Sequence, residues 1–241
     1  MTTRGLTLSS VVVMGWIDPV VSYASPPRLS DPEPRDVWTG TLHDAADSRW
    51  ELFDAEVRAG VFELDGCEAL EIENSTLEGV TFAGESMPRL SASRCVLVGC
   101  DLSGARFDSL RNVRLVDCKL VGADFAGAQL LDVAFERCVL RIVNFRMVTL
   151  RRVQFVDSTL HDVDALDLDA EDVAFTGSDL EKVNIDRLRA RRVDFRGTRQ
   201  LGLERVGPLN GCLVDDHQLG ALKYHLAFAA GLDIERDVEP N

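Results

Sequence analysis

The chain has 241 residues, and 40 acidic side chains outnumber 26 basic ones for a formal charge of −14. An acidic excess of this size makes a poor direct ligand for nucleic-acid phosphate, so a DNA- or RNA-binding protein is excluded. The length allows one large domain or two small ones, and six cysteines allow either three disulfides or a set of buried thiols.

Residues 1–50 form an N-terminal segment, linker and cap. Thr7 to Val21 is apolar, follows Arg4 and precedes Ser22-Tyr23-Ala24, which raises an export signal over residues 1–27 as an alternative. Gly15, Asp18 and Pro19 interrupt it, and a packed N-terminal segment is the preferred reading. The stretch is too short and broken to span a membrane. Ser25 to Pro34 carries four prolines and reads as an extended linker. Trp38, Leu42 and Trp50 are then placed to cover an open end of whatever follows.

From Leu52 a five-residue phase sets in through Val57, Phe62, Cys67, Ile72, Leu77, Phe82, Met87, Ala92, Leu97, Leu102 and Phe107. Leu52 to Arg58 also fits a short helix, because Trp50, Phe53 and Val57 match a 3.6-residue period. Pro88 and Ala92 mark a weaker spot. The phase then shifts between Phe107 and Leu115, which requires three residues inserted or two lost near Leu110 to Asn112, with a small loop or bulge.

From Leu115 to Phe195 an apolar or small residue occupies every fifth position, and a second apolar or small register lies two residues before each of them. A period of five fits neither the helix nor the flat strand, so it is a repeat. Five residues can form one side of a square coil if two point inward and three outward, and four sides close a turn of 20. Turns stacked at about 4.8 Å would pair as parallel strands do. On this geometry Cys67 is central, while Cys95, Cys100, Cys118 and Cys138 take the small inward position, with Cys118 and Cys138 stacked neighbours. Buried free thiols, and hence a reducing cytoplasm, follow.

The units Cys118-Lys119-Leu120-Val121-Gly122, Ala123-Asp124-Phe125-Ala126-Gly127 and Ser178-Asp179-Leu180-Glu181-Lys182 resemble the pentapeptide repeat family. The resemblance implies an all-β right-handed quadrilateral β-helix of about seven coils over residues 51–200. In the quinolone-resistance members of that family, to which this chain bears a distant likeness, the coil mimics DNA and occupies the DNA-binding surface of gyrase. A topoisomerase partner is therefore implied as an alternative to a general protein-binding scaffold.

Duplex DNA carries about one charge per 1.7 Å, so seven turns should offer about twenty. Residues 52–197 hold 26 acidic and 18 basic side chains, far short of that. Superposing residues 20 apart gives a column of alternating sign, Asp132, Arg152, Asp172 and Arg192. A second column holds Arg151, Glu171 and Arg191, and Asp167 lies over Arg187. Cross-strand pairs of this kind fix register. Asp124, Asn144, Asp164 and Asn184 form a further structural ladder. From Glu51 to Glu85, by contrast, ten acidic residues accompany only Arg58. Glu51, Glu56, Glu63, Glu71 and Glu73 are accordingly the candidate partner-binding acidic face.

Residues 201–241 form a connector, Gly202 to Gly211, and a helix from about Asp216 to Ala230. Asp215 caps it, Gln218 completes a capping box and Gly231 stops it. Leu219, Leu222 and Leu226 form a stripe that plugs the last coil. Phe228 and Tyr224 widen the stripe enough for a second contact. In the topoisomerase-protecting members such a helix joins two coils, which makes Leu219, Leu222, Leu226 and Phe228 candidate residues for a homodimer.

No catalytic constellation is present: the four histidines have no metal-ligand spacing, and no glycine loop cradles phosphate. Asp162, Asp164, Asp167 and Asp169 have a calcium-loop composition without its turn glycine or closing glutamate, and the coil sends them to different sides. The expectation is a non-catalytic, protein-binding solenoid without cofactor or metal.

Overall fold

The computed structural model describes residues 25–32, 36–38 and 48–232. Its strands pair only in parallel, each with the residue about 20 positions away. Leu150, for example, lies opposite Leu130 on one side and Ala170 on the other. Leu52, Ile72, Ala92, Leu110, Leu130, Leu150, Ala170 and Ala190 stack in one file, so the β-solenoid has about eight turns, one more than the sequence suggests. Leu52 to Arg58 is not helical: strands Arg49–Phe53 and Ala55–Glu63 run through it. Pairing to the next turn supplies backbone hydrogen bonds that a single isolated helical turn could not.

The core is a column of central side chains. Phe107, Phe125 and Phe145 stack face to face at 4.2 and 4.6 Å between ring centroids. Phe135, Phe155, Phe175 and Phe195 form a second stack at 4.8, 5.0 and 5.2 Å. The rings lie within 6° of parallel because identical residues in register inherit the inter-strand spacing. Ala165 and Ala170 break the pattern, and an apolar cavity of about 40 Å³ opens among Phe145, Leu150, Ala165, Ala170 and Phe175.

The small inward position has a polar use. Cys100, Cys118, Cys138, Ser158 and Ser178 form one file, in which each side chain donates to backbone carbonyls. Ser158 Oγ donates to Phe135 O at 3.1 Å and accepts from the Cys138 N–H at 3.0 Å. Cys138 Sγ donates to Leu115 O at 3.4 Å. Small donors are favoured here because they satisfy backbone groups that the corner leaves unpaired. All six thiols are free, and five are buried. Burial pushes the Cys95 thiol up to about 11 and Cys212 up to about 12.

Two irregularities interrupt the 20-residue turn. Ala92 lies opposite Leu110, and the register slips by one between Leu90–Phe107 and Ser91–Ser109. The phase change is thus a loss of two residues, with the irregularity at Asp108, just before the expected stretch. At the other end, strand Gln200–Val206 continues the coil and pairs with Asp179–Ile185 across two register shifts. Those shifts hide Leu201 and Leu203 from a five-residue reading, and they reduce the expected connector to residues 207–211.

Both ends of the column are covered. Asp36–Trp38 adds a strand beneath Ala55, Glu56 and Val57. Trp50 is buried in the first turn, while Leu42 lies outside the described residues. Above the last turn sits the helix Asp216–Ala229, with Asp215 as N-cap and Gln218 closing the capping box. Gly231, at φ +72°, ends it with its N–H on Phe228 O and that of Leu232 on Ala227 O. Gln218 Nε2 also donates to Phe195 O and Thr198 Oγ1, tying the cap to the last coil.

Candidate interaction surface

Most corners of the coil, and every one from Leu110 to Phe195, carry a residue at positive φ two positions after the central one. Gly122, Gly127, Gly177 and Gly197 supply it without strain. Ala59, Ile142 and Met147 are apolar exceptions, but most other corners are charged or amide-bearing, which sets the side chain above the corner of the turn below. The resulting ladders match the columns read from the sequence. Arg152 clasps Asp132 with two bonds of 2.7 and 2.8 Å, and Arg192 clasps Asp172 at 2.5 and 2.8 Å. Arg187 reaches Asp167 at 2.7 Å, while Arg151 and Arg191 flank Glu171 at 3.5 and 3.0 Å. Arg137–Asp117 and Arg199–Asp179, both at 2.8 Å, extend the same device to columns not singled out from the sequence.

The amide ladder also forms. Asn144 Nδ2 donates to Asp124 Oδ1 at 2.9 Å, and Asn184 Nδ2 to Asp164 Oδ1 at 2.8 Å. Each of the four also accepts from the backbone N–H two residues on, so the side chain braces its own turn. The calcium-like aspartates are dispersed. Asp162 faces Lys182, Asp164 faces Asn184 and Arg146, Asp167 faces Arg187, and Asp169 faces Arg151. Among the described residues no group of three or more candidate ligands is placed to hold a metal ion.

Glu51, Glu56, Glu63, Glu71 and Glu73 fall on three sides of the coil, not on one face. Glu51 and Glu71 are exposed and directly paired in register on the first side. Their crevice also holds Arg49, Arg89 and Asp108. Glu73 is ion-paired with Arg94, and Glu56 with Arg58. Glu63 stands exposed two sides away. The unbroken acidic surface expected of these five residues is therefore reduced to the Glu51–Glu71 pair, because the square cross-section separates residues that lie close in sequence.

The helix divides its stripe. Leu222, 1% exposed, is part of the core, and Leu226 packs against it. Leu219 and Phe228 face outward with Tyr224, and Phe228 is 83% exposed.

The linker lies on the corner column. The Ser25 N–H donates to Asp172 Oδ1 at 3.1 Å, the Arg28 N–H to Asp132 Oδ1 at 2.8 Å and the Ser30 N–H to Asn112 Oδ1 at 2.8 Å. Burial raises the Asp132 pKa, but the Arg152 guanidinium and the Arg28 N–H outweigh it and hold the carboxyl below its ordinary range. For Asp172 the Arg192 guanidinium dominates over burial, and the Ser25 N–H adds to the same lowering. Sequence reasoning missed this contact. Ala134 and Ala174, two residues beyond the anchoring aspartates, are 3% and 6% exposed although they occupy outward positions.

The model for the pentapeptide repeat region matches residues 70–145 and 108–185. The chain belongs to the pentapeptide repeat family. Among solved structures, a trypsin-treated form of QnrB1, a plasmid-mediated fluoroquinolone resistance protein, aligns at TM-score 0.51 and 13% identity. The alignment covers 83% of this chain and 97% of that one, and it shows a shared fold. HetL, a pentapeptide repeat protein involved in heterocyst differentiation regulation from the cyanobacterium Nostoc, aligns at 19% identity and TM-score 0.34. That match covers 69% of this chain and 87% of HetL. No curated protein matches the sequence. As a pentapeptide repeat protein, the chain places its side-chain chemistry on outward columns. Among the described residues no helix is long and apolar enough to cross a membrane.

Proposed function

We propose that this pentapeptide repeat protein is a non-catalytic, cytoplasmic scaffold that binds another protein through its outward columns. The observation that carries this reading is the turn-by-turn neutralisation of charge. Arg187, Arg191 and Arg192 are each paired with a carboxylate one turn below, and Arg151 with one a turn above. A duplex mimic needs a continuous negative stripe, since its partner has evolved to bind phosphates at regular spacing. Alternating turns favour the scaffold over a DNA-mimicking modulator of gyrase. The exposed Glu51–Glu71 pair is the part of the acidic set best placed to steer a basic partner, because these like charges stand in register on one side, with Arg49 and Arg89 at the rim of the same crevice. Outward Leu219 and Phe228 supply the contact for a homodimer.

The test is a supercoiling assay with purified gyrase and a fluoroquinolone, with and without the protein. The scaffold reading expects neither inhibition nor protection. Protection that disappears when Glu51, Glu56, Glu63, Glu71 and Glu73 become glutamine would replace it with the mimic.

A further inference from the structure

The corner between the first and second sides of the coil carries Asn112, Asp132, Arg152 and Asp172, one per turn and all at positive φ. From bottom to top this reads acceptor, acceptor, cation, acceptor. The cation is engaged by Asp132 below it. Residues 25–32 run along the column in the opposite direction with a complementary pattern. Ser30, Arg28 and Ser25 each donate a backbone N–H to an acceptor, while Pro26 and Pro27, which have no N–H, occupy the interval that contains Arg152.

The spacing has a physical basis. Asp132 and Asp172 are two turns apart, about 9.6 Å at the parallel-strand separation. A polyproline-type chain advances about 9.3 Å in three residues, which is the interval from Ser25 to Arg28. The Asp132–Asp172 interval therefore suits an extended, proline-stiffened peptide, whereas three residues of helix would advance only about 4.5 Å. Further contacts fix the direction of the chain. Asn112 Nδ2 donates to Ser30 Oγ at 2.6 Å, and Arg114 pairs with Asp31 at 3.2 Å. Pro27 and Leu29 are half-buried, while Ser25, Pro26, Arg28 and Ser30 are exposed.

We propose that this corner column is a binding groove for an extended proline-containing peptide. Its recognised spacing is donor, proline, proline, donor, any residue, donor, and the chain's own residues 25–32 fill it in the described state. A partner protein with such a segment enters by displacing them. The intramolecular segment competes at an effective concentration of about millimolar, so the groove is guarded and opens only when the segment is released or outcompeted. The groove does not depend on the glutamates discussed above.

The test uses the full chain and a fluorescent synthetic peptide of residues 25–32, read by anisotropy. In the double variant Arg28→Pro and Ser30→Pro the chain loses two of the three donors and the groove is vacated. The peptide is expected to bind this variant at least tenfold more tightly than the wild type. The same peptide N-methylated at the nitrogens corresponding to Arg28 and Ser30 is expected not to bind. Equal binding of the two peptides, or no binding of either to a variant that retains its far-UV spectrum, overturns the proposal. Should the variant fail to fold, hydrogen exchange on the wild type decides. Millimolar peptide should expose the Arg28 and Ser30 amides while the N-methylated peptide leaves them protected, and unchanged protection with both refutes the groove.

Discussion

Phe155→Ala removes a ring from the middle of the longer aromatic stack. Phe155 is 1% exposed and lies between Phe135 at 4.8 Å and Phe175 at 5.0 Å, with Phe145 edge-on at 6.4 Å. Deleting a buried aromatic costs about 3–5 kcal/mol through lost transfer energy and the cavity left behind. Aromatic pairs contribute about 0.5–1.5 kcal/mol beyond burial, so a ring with two stacked neighbours should fall at the upper end. Phe145 has one stacked neighbour, Phe125, and the turn beyond it carries Ala165. Phe145→Ala should accordingly cost about 1 kcal/mol less than Phe155→Ala. Arg146→Ala, adjacent in sequence, removes a half-exposed ion pair to Asp164 at 3.3 Å and should cost under about 1 kcal/mol. Urea unfolding followed by far-UV circular dichroism, with midpoints and slopes fitted together, measures all three. Equal losses at Phe145 and Arg146 would refute the five-residue register. A Phe145 loss larger than that at Phe155 would refute the role of stacking.

Three further outcomes are expected. Ala165→Val fills part of the apolar cavity and should stabilise the chain by about 0.5–2 kcal/mol in the same urea assay. Leu222→Asp buries a charge in the helix plug and should lower the melting temperature, whereas Phe228→Asp should leave it unchanged and act only on the mass seen by light scattering. Asp132 and Asp172 have folded pKa values below their unfolded value of about 3.9. The stability they contribute is therefore present above pH 4 and lost as pH falls through the depressed folded values. Urea midpoints from pH 6 to pH 3 should drop at the acid end, and Asp132→Asn with Asp172→Asn should flatten that drop.

A sequence with a strict short period is unusually legible, because each turn contacts only its neighbours and repeats one local solution. The period of five alone determined the inward residues, the stacking of Phe135 on Phe155, the pairing of Asp132 with Arg152 and the buried state of Cys118 and Cys138. Local signals sufficed for the helix caps as well, since Asp215 and Gln218 act on the first turn and Gly231 on the last, each within a few residues of its partners. What the period could not carry was decided by tertiary structure. The loss of two residues beside Asp108 and the bulged strand Gln200–Val206 depend on which backbone groups find partners across turns. The five glutamates looked like one face because they are close in sequence, yet a square coil turns a corner every five residues and sends them to three sides. The docking of residues 25–32 was least accessible of all. Ser25 and Asp172 are 147 positions apart, and their contact involves a backbone N–H that no side-chain pattern reports, so only the assembled column could bring them together.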